Sequence, residues 1–344
     1  MQASRQDEDD TVSETDWNAN LGGGFGLAEP RHEFFQTGWT NQADSVSQTW
    51  YWGFNVPEAK INAFAYCWTH PNLDVVTGGL MIYQGMKLQT LACELFDIRA
   101  FNKLGTIVGD GSDIRFPNSM RVEVIEPISK MRLTFDDPAR ETSVDVTFEG
   151  TAAPLMRSNN QHFEQVMRGR GKLVLRGTAY NVDCYNVRDR SWGEPRPEDA
   201  APLPPYTWVT GVFGEDFAFN LGAHDDPARG PEWVGHYDIT AETAFRDGWV
   251  QVGKEQRRLK RASKITRREF PMCRPISHEI TMEDTEGDIY TLTGTVIAQS
   301  NWSGWPNANV HLGLVEWHWN GRTGHGETQE VQWNDYIWRY GQEK

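Results

Sequence analysis

The chain has 344 residues, and its 33 Lys and Arg against 48 Asp and Glu give a formal net charge of −15. So acidic a chain is repelled by polyanions, and neither nucleic acid nor an anionic membrane is expected as a partner. The length exceeds one typical core, and an aromatic content of 12% favours sheets and wide apolar cavities over a helical bundle, so we expect two β-rich domains.

The cysteines and the N-terminus indicate the expected cellular compartment. Cys67, Cys93, Cys184 and Cys273 stand far apart without a CxxC pair, which indicates buried thiols rather than a zinc site or a disulfide framework. The N-terminus has neither the basic start nor the apolar run of a signal peptide, and no stretch approaches the ~20 apolar residues of a membrane span. We therefore expect a cytoplasmic protein with no membrane span, whose oligomeric state the sequence does not specify.

The pattern of residues along the chain predicts a disordered tail followed by two β-domains. Residues 1–16 are polar and acidic, and we expect a disordered tail. Short apolar and aromatic runs follow, separated by Gly, Pro, Asn and Asp, which is typical of all-β folds. This periodicity lapses before a second β series begins, so the predicted domains are residues 17–157 and 158–344. Residues 88–95 fit both helical and strand spacing, and the neighbouring strands favour a strand.

The motif around Asp189 is the first candidate site. Asp189 stands between Arg188 and Arg190 and is followed closely by Trp192. A carboxylate flanked by two guanidiniums would be held in one ionisation state and orientation, as a catalytic group requires. The same arrangement also fits a structural ion-pair hub at the end of a strand.

Two Glu–His pairs form the second group of candidates. His162 and Glu164, and likewise Glu316 and His318, have the two-residue spacing that puts side chains on one face of a strand. Leucines share the face of Glu316. If that face points into a barrel, desolvation would raise the pKa of Glu316 and make it a proton donor. If it points outward, Glu316 and His318 are solvated.

No metal or cofactor is expected. The glycine-rich run at residues 21–26 has no preceding strand and does not match a phosphate-binding loop. Glu316-x-His318 has no second arm of metal-ligand spacing, because the other histidines are isolated. No serine lies in a Gly-x-Ser-x-Gly motif and no cysteine has a neighbouring histidine, so nucleophilic acyl chemistry has little support.

Motifs along nearly the whole chain share one resemblance. They are Pro30-Arg31-His32, Trp50-Tyr51-Trp52, His70-Pro71-Asn72, Gln161-His162-Phe163-Glu164-Gln165, Arg188-Asp189-Arg190-Ser191-Trp192-Gly193, Glu316 and Gly324-His325-Gly326-Glu327. Together they resemble the carotenoid 1,2-hydratase (hydroxyneurosporene synthase)-like superfamily, which takes in kievitone hydratase-like and AttH-type proteins and a group of fungal pericyclases. One departure is Arg190, which stands where the carotenoid hydratases have a His, so a role of that His cannot be transferred.

The resemblance, together with the strand pattern, implies an all-β fold of two packed lipocalin-like (calycin-type) barrel or sandwich domains. Such barrels enclose an apolar ligand, often where domains meet. The leading hypothesis is a cofactor-independent hydratase or dehydratase that acts by acid–base catalysis on an alkene of an apolar isoprenoid-like or prenylated substrate. Two alternatives stay open: a cyclase or pericyclase that folds a polyene, and a non-catalytic carrier of an apolar small molecule.

These hypotheses assign roles to particular side chains. The expected catalytic residues are Asp189, Glu316, His318, Glu164 and His162, and Glu316 is favoured as the acid because its strand face is the more apolar. The expected substrate-binding residues are Trp192, Tyr51, Trp50, Trp52, His70, Tyr185, Trp208 and Asp216. Faces of Trp and Tyr would stabilise a carbocation by ~2 kcal/mol or more when desolvated.

Overall fold

The computed structural model describes residues 26, 28–38, 41–157, 160–195, 203–230, 232–305 and 307–343. Over these residues the chain forms an open β-sheet followed by a closed β-barrel. The barrel packs its outer surface against one face of the sheet. The expected all-β fold of two packed lipocalin-like units is confirmed. The tail expected at residues 1–16 lies outside the described residues.

The open sheet contains the first eleven strands. They are β1 (Val46–Val56), β2 (Ile61–His70), β3 (Val75–Gln84), β4 (Leu95–Lys103), β5 (Asp113–Arg115), β6 (Arg121–Glu126), β7 (Lys130–Asp137), β8 (Thr142–Gly150), β9 (Leu155–Met156), β10 (His162–Leu175) and β11 (Thr178–Pro195). Their order across the sheet is β4-β3-β2-β1-β11-β10-β8-β7-β6-β5, with β9 paired to β10. The long strands β10 and β11 therefore lie in the middle of the sheet.

The barrel contains the remaining strands in chain order and closes where β12 pairs with β19. They are β12 (Tyr206–Val212), β13 (Phe217–Ala223), β14 (Phe245–Val252), β15 (Glu255–Glu269), β16 (Arg274–Asp284), β17 (Ile289–Trp302), β18 (Ala308–Trp319) and β19 (Arg322–Trp333). The α-helices are α1 (Leu104–Ile107), α2 (Ala241–Ala244) and α3 (Asn334–Glu343). No helix in the described part of the chain is long and apolar enough to cross a membrane.

The two units divide later in the chain than the boundary expected between residues 157 and 158. Strands β10 and β11 pair with each other and, through β1 and β8, with the open sheet. The sheet therefore ends at Pro195, and the barrel begins at Tyr206. The periodicity lapses near residues 153–160 because the chain turns there within one sheet, from β8 through β9 to β10.

Residues 88–95 do not form the expected strand. The chain makes a single 3-10 turn at Thr90–Ala92, and β4 begins only at Leu95. Leu88 and Leu91 are 62% and 83% exposed. These leucines lie on a surface loop, so their spacing in the sequence does not mark the buried face of a strand or a helix.

Strand alternation decides which side chains reach the contact between the two units. On β1, Trp50 and Trp52 point into the core of the sheet's own unit, whereas Tyr51 points towards the barrel. On β18, Trp317 fills the barrel lumen, whereas Leu314 packs against the sheet. Apolar side chains are therefore buried on both faces of β18 along the middle of the strand.

A buried ion pair joins the N-terminal segment to β11. Both guanidinium Nη atoms of Arg188 donate to the Glu33 carboxylate, at 2.9 and 2.8 Å, and Arg188 also donates to Gln165 Oε1. The two charged side chains are 3% and 0% exposed. Removing one partner of such a pair leaves a buried charge without compensation.

We predict that Arg188→Met lowers the free energy of unfolding by ~3–5 kcal/mol, because Glu33 would be left buried and unpaired. Urea denaturation followed by tryptophan fluorescence measures the change. The matched control is Arg132→Met, whose partner Asp145 and own side chain are about half exposed, and which should cost no more than ~1 kcal/mol. Equal losses in the two variants would contradict the structural role of the buried pair.

The barrel encloses a charged network. Asp225 forms ion pairs with Lys264 and Arg268, and Arg268 also holds Glu330 through two bonds of 2.8 Å. All four side chains are almost fully buried, and their charges cancel, as burial of ions requires. His311, which pairs with Glu330 across β18 and β19, is buried beside them.

We predict that the barrel loses stability as the pH falls below about 6.5. Burial lowers the pKa of His311 to about 4 and that of His278 to about 3, so the unfolded chain binds these protons first, near its ordinary pKa of ~6.5. Each histidine should cost about 2 kcal/mol at about pH 5. Urea unfolding at about pH 7 and about pH 5 tests this, and His311→Asn should lose less stability between them. An equal loss in the variant would contradict the assignment.

Candidate active site

A row of three polar side chains crosses the sheet face that meets the barrel. Tyr51 on β1 and Glu164 on β10 are the direct partners of Asp189 on β11. Opposite residues of antiparallel strands share a face, with Cβ atoms ~5 Å apart. Register and alternation therefore bring a phenol and two carboxyl groups together at the interface.

The barrel covers this row and encloses a small cavity with it. The space open to the centre of a water-sized sphere is about 20 Å³, which suffices for about one water molecule. The total empty space of the cleft, including the part that is open to solvent, is about 330 Å³. The lining residues are Tyr51, Glu164, Val187, Asp189, Trp208, Thr210, Asn220, Glu327 and Gln329.

The Glu327 carboxyl reaches from the barrel into the sheet. Tyr51 donates its hydroxyl hydrogen bond to Oε2, and the amides of Asn186 and Asn62 donate to Oε1 at 3.1 and 3.2 Å. Gln329 donates to Oε2 at 3.3 Å. The side chains that hydrogen-bond Glu327 in the described part of the chain are all neutral. Burial raises the pKa of Glu327, and these hydrogen bonds oppose the shift without cancelling it.

Gly53 makes room for this arrangement, two residues after Tyr51 on the same face of β1. A Cβ built at Gly53 would lie 2.7 Å from Glu327 Oε1, and closer still to Asn186 Nδ2 and the Tyr51 hydroxyl oxygen. These side-chain ends would have to move apart to admit a Cβ at residue 53. The missing side chain at residue 53 therefore allows three polar groups to converge.

Glu164 is the electrostatic opposite of Glu327. Arg157 donates to its Oε1 at 2.6 Å, His162 Nε2 lies 3.1 Å from the same oxygen, and Trp249 of the barrel donates to Oε2 at 2.6 Å. Burial opposes ionisation, but Arg157, His162 and Trp249 outweigh it and lower the pKa of Glu164 to about 2. The expected His162–Glu164 contact is present, and the lowered pKa favours the carboxylate form of Glu164 over the proton-donor form.

Asp189 lines the cavity, but Arg188 and Arg190 do not flank it there. Alternation along β11 places both arginines on the opposite strand face, where Arg188 binds Glu33. Arg190 lies 3.8 Å from the centre of the Trp50 ring and donates to Gln48 Oε1 at 2.6 Å. Burial lowers the pKa of Arg190 to about 9. The expectation that two guanidiniums clamp Asp189 was therefore wrong, since sequence neighbours on a strand face opposite ways.

The expectation that Glu316 is a buried acid was also wrong. Its side chain is 38% exposed and that of His318 is 52% exposed, and the two lie 3.4 Å apart. The leucine face of β18 is the barrel's outer face, which the sheet covers at Leu312 and Leu314 but leaves open at Glu316. Water reaches this carboxylate, so the enclosed, apolar setting expected for Glu316 is absent.

Three of the expected substrate-binding tryptophans lie elsewhere. Trp50 and Trp52 are 1% and 2% exposed inside the core of the first unit, and their ring nitrogens donate to the Glu33 carbonyl and to Met131 Sδ. Trp192 stacks on His32 at 5.3 Å in a separate cluster. Their aromatic surface is used in packing, so none lines the cavity.

The remaining expected binding residues divide in the same way. Trp208 and Tyr51 line the cavity. His70 is half-buried beside Trp68, with ring centres 4.6 Å apart. The Tyr185 hydroxyl lies 3.4 Å from Glu215 near the surface, and Asp216 is 77% exposed and pairs with Arg322. His70, Tyr185 and Asp216 therefore do not line the cavity.

Glu327 and Asn220 line the cavity but were not predicted as site residues from the sequence. The three sheet partners of Glu327 are 141 to 276 residues away in the sequence, so no local spacing reveals them. Asn220 did carry a signal, because it is the one polar side chain of the apolar strand Phe217–Ala223. A lone amide in a strand that is buried throughout requires a partner.

The arrangement is suited to moving protons in a small, dry space. Burial raises the pKa of Glu327, whereas the Glu164 pKa is lowered, and Tyr51 and Trp208 also line the cavity. Among the described residues, no group of three or more His, Cys, Asp or Glu could hold a metal ion. The chemistry available to these side chains is acid–base catalysis.

Solved structures share this fold at low sequence identity. An AttH-like protein from Nitrosomonas europaea has a TM-score of 0.59 at 11% identity, covering 90% of this chain and 97% of its own. Kievitone hydratase from Nectria haematococca has a TM-score of 0.53 at 11% identity, covering 91% and 96%. CghA with Sch210972 has a TM-score of 0.51 at 9% identity, covering 92% and 98%. The fold implied by the resemblance to AttH-type and kievitone hydratase-like proteins is confirmed.

The sequence itself gives one family match. No curated protein matches the chain significantly. A family model described as "Domain of unknown function (DUF7064)" matches residues 30–335. Because this match spans most of the sequence, the chain belongs to the DUF7064 family.

Proposed function

We propose that the protein is a cofactor-independent hydro-lyase, a hydratase or dehydratase that acts on an alkene of an apolar isoprenoid-like or prenylated substrate. One observation carries the proposal: Glu327 and Glu164 line one cavity, and their surroundings shift their pKa values in opposite directions. Carboxyl groups separated in this way take different roles in acid–base catalysis. The solved kievitone hydratase of the same fold adds support for a hydration reaction.

Glu327 is the proton donor in this proposal. Burial among neutral side chains favours its neutral form. A hydroxyl can accept as well as donate, so Tyr51 can accommodate the carboxyl proton of Glu327. Protonation of an alkene breaks the Glu327 O–H bond and the π bond, forms a C–H bond and leaves a tertiary carbocation. Asn62 and Asn186 then stabilise the carboxylate that remains.

Glu164 and the aromatic faces stabilise the carbocation. Glu164 contributes a fixed negative charge at every pH near neutrality, because its pKa is about 2. Tyr51 and Trp208 present rings to the same cavity, and the cation–π interaction is worth ~2 kcal/mol or more in a desolvated site. The protein acts as a cytoplasmic enzyme in this proposal.

A cyclase or pericyclase is the second candidate. Aromatic side chains continue from the cavity along the interface: the Tyr51 and Phe64 ring centres are 5.1 Å apart, as are those of Phe64 and Tyr66. Such a wall suits a folded polyene, and cyclisation needs shape and one hydrogen-bond donor more than a titrating acid. The same protonated Glu327 would serve as that donor.

One assay separates the candidate functions. The protein is incubated with geraniol, farnesol, lycopene and a prenylated isoflavone in water labelled with heavy oxygen, and the products are analysed by mass spectrometry. Gain of labelled water indicates a hydratase, and a new compound of unchanged mass indicates a cyclase. Unchanged compound retained in native mass spectra, with no product, indicates a carrier and contradicts the enzyme proposal.

We predict that Glu327→Gln lowers turnover by ~10²- to 10⁴-fold, as loss of a general acid does. Turnover of the parent should fall as the pH rises through the raised pKa of Glu327, because only the protonated form donates. The rate is measured against pH with a compound turned over in the assay above.

The matched control for this variant is Glu316→Gln, which removes an exposed carboxylate and should leave turnover unchanged. A parent-like rate in Glu327→Gln, with the fold intact by circular dichroism, would rule out Glu327 as the acid. Loss of turnover in Glu316→Gln alone would assign the acid to the barrel's open surface.

A further inference from the structure

The amide of Asn220 is polar and buried, and part of it has no hydrogen bond. Asn220 is 3% exposed, and its Oδ1 has no partner among the described residues. An acceptor buried in this way costs ~1–3 kcal/mol. Asn220 lines the cavity of Glu327 and Asp189, so the unpartnered oxygen lies at the candidate active site.

Thr210 supplies a complementary group next to Asn220. The two residues are direct partners across β12 and β13 and both line the cavity. Thr210 Oγ1 accepts a hydrogen bond of 3.0 Å from the Glu327 backbone N–H. The Thr210 hydroxyl hydrogen is not used in this bond, so it can be donated to a molecule in the cavity.

These groups match the hydrogen-bonding needs of a single water molecule. Two acceptors, Asn220 Oδ1 and the Asp189 carboxyl, and one donor, the Thr210 hydroxyl, line a space of about 20 Å³. A buried water typically makes ~3 hydrogen bonds and needs ≳10–15 Å³ of such space. Both conditions are met here.

We propose that Asn220, with Thr210 and Asp189, positions the water that attacks the carbocation. Asn220 thereby decides whether the carbocation is hydrated, loses a proton to give an isomerised alkene, or is attacked by another double bond of the substrate to give a ring. The inference rests on the proposed acid–base function and extends it to product specificity. In this arrangement the water donates its two hydrogens to Asn220 Oδ1 and the Asp189 carboxyl and accepts a hydrogen bond from the Thr210 hydroxyl. Its second lone pair is then left to attack the carbocation.

The step balances as an addition of water. Glu327 gives its proton to one alkene carbon, and the water oxygen forms a C–O bond to the other. One O–H bond of that water then breaks, its proton passes to the Asp189 carboxylate, and an alcohol is left. Asp189 returns the proton to Glu327 through solvent, so no oxidant, reductant or cofactor is consumed.

The test compares Asn220→Leu, which removes the acceptor at similar size, with Asn220→Asp, which keeps an acceptor oxygen. Farnesol in labelled water is the probe, and the ratio of labelled alcohol to isomerised or cyclised alkene is the readout. We expect Asn220→Leu to lower this ratio by ~10-fold while substrate consumption persists, and Asn220→Asp to restore most of it.

The matched control is Asn55→Leu, which removes another buried asparagine whose Oδ1 has no partner in the described part of the chain and which does not line the cavity. It should leave the product ratio unchanged. A parent-like ratio in Asn220→Leu, or the same change in Asn55→Leu, would overturn the inference while leaving the acid role of Glu327 standing.

A crystal structure supplies a readout that requires no substrate. At a resolution that shows ordered water, the parent should hold a water within hydrogen-bond distance of Asn220 Oδ1 and Asp189, and Asn220→Leu should not. A site without that water overturns the inference. The water present but no compound in the panel turned over would instead count against the proposed function.

Discussion

The hydrogen bonds of Glu327 are the interaction on which the rest of the site depends. A carboxyl group of the barrel receives bonds from Tyr51 and two asparagines of the sheet, and Trp249 of the barrel donates in return to Glu164 of the sheet. Each unit thus buries a carboxyl group that accepts a hydrogen bond from the other unit. Formation of the interface and formation of the site are therefore one event, because neither carboxyl group would be desolvated in a separated unit.

The two carboxyl groups differ because only one of them meets a cation. Arg157 compensates the burial of Glu164, whereas the partners of Glu327 are neutral. The surrounding side chains therefore shift the pKa values of two similar carboxyl groups at one cavity in opposite directions. The two arginines of β11 lie on the strand face that points away from the cavity. There Arg188 pairs with Glu33 and Arg190 packs against Trp50.

The fold could be predicted from the sequence, but the orientation of the strands could not. Alternation and turn residues identify strands, but the register that places Tyr51 opposite Asp189 is visible only in the structure. Alternation fails on β18, where one face fills the lumen and the other packs on the sheet, so hydrophobicity does not distinguish inside from outside. Glu316 was misplaced for that reason. A basic run at residues 254–268 shows the same limit: Lys260 and Arg261 are exposed, yet Lys264 and Arg268 point inward to buried acids.

Gly53 gives the site a signature that can be read in other sequences of the family. Because a Cβ at this position would overlap Glu327, Asn186 and the Tyr51 hydroxyl, a relative with a side chain there must place these three groups differently. Glycine at position 53 together with Tyr51 and Glu327 would therefore identify the family members that can form the same arrangement of polar groups. The most informative residue for tracing the chemistry among homologues is thus one with no functional group at all.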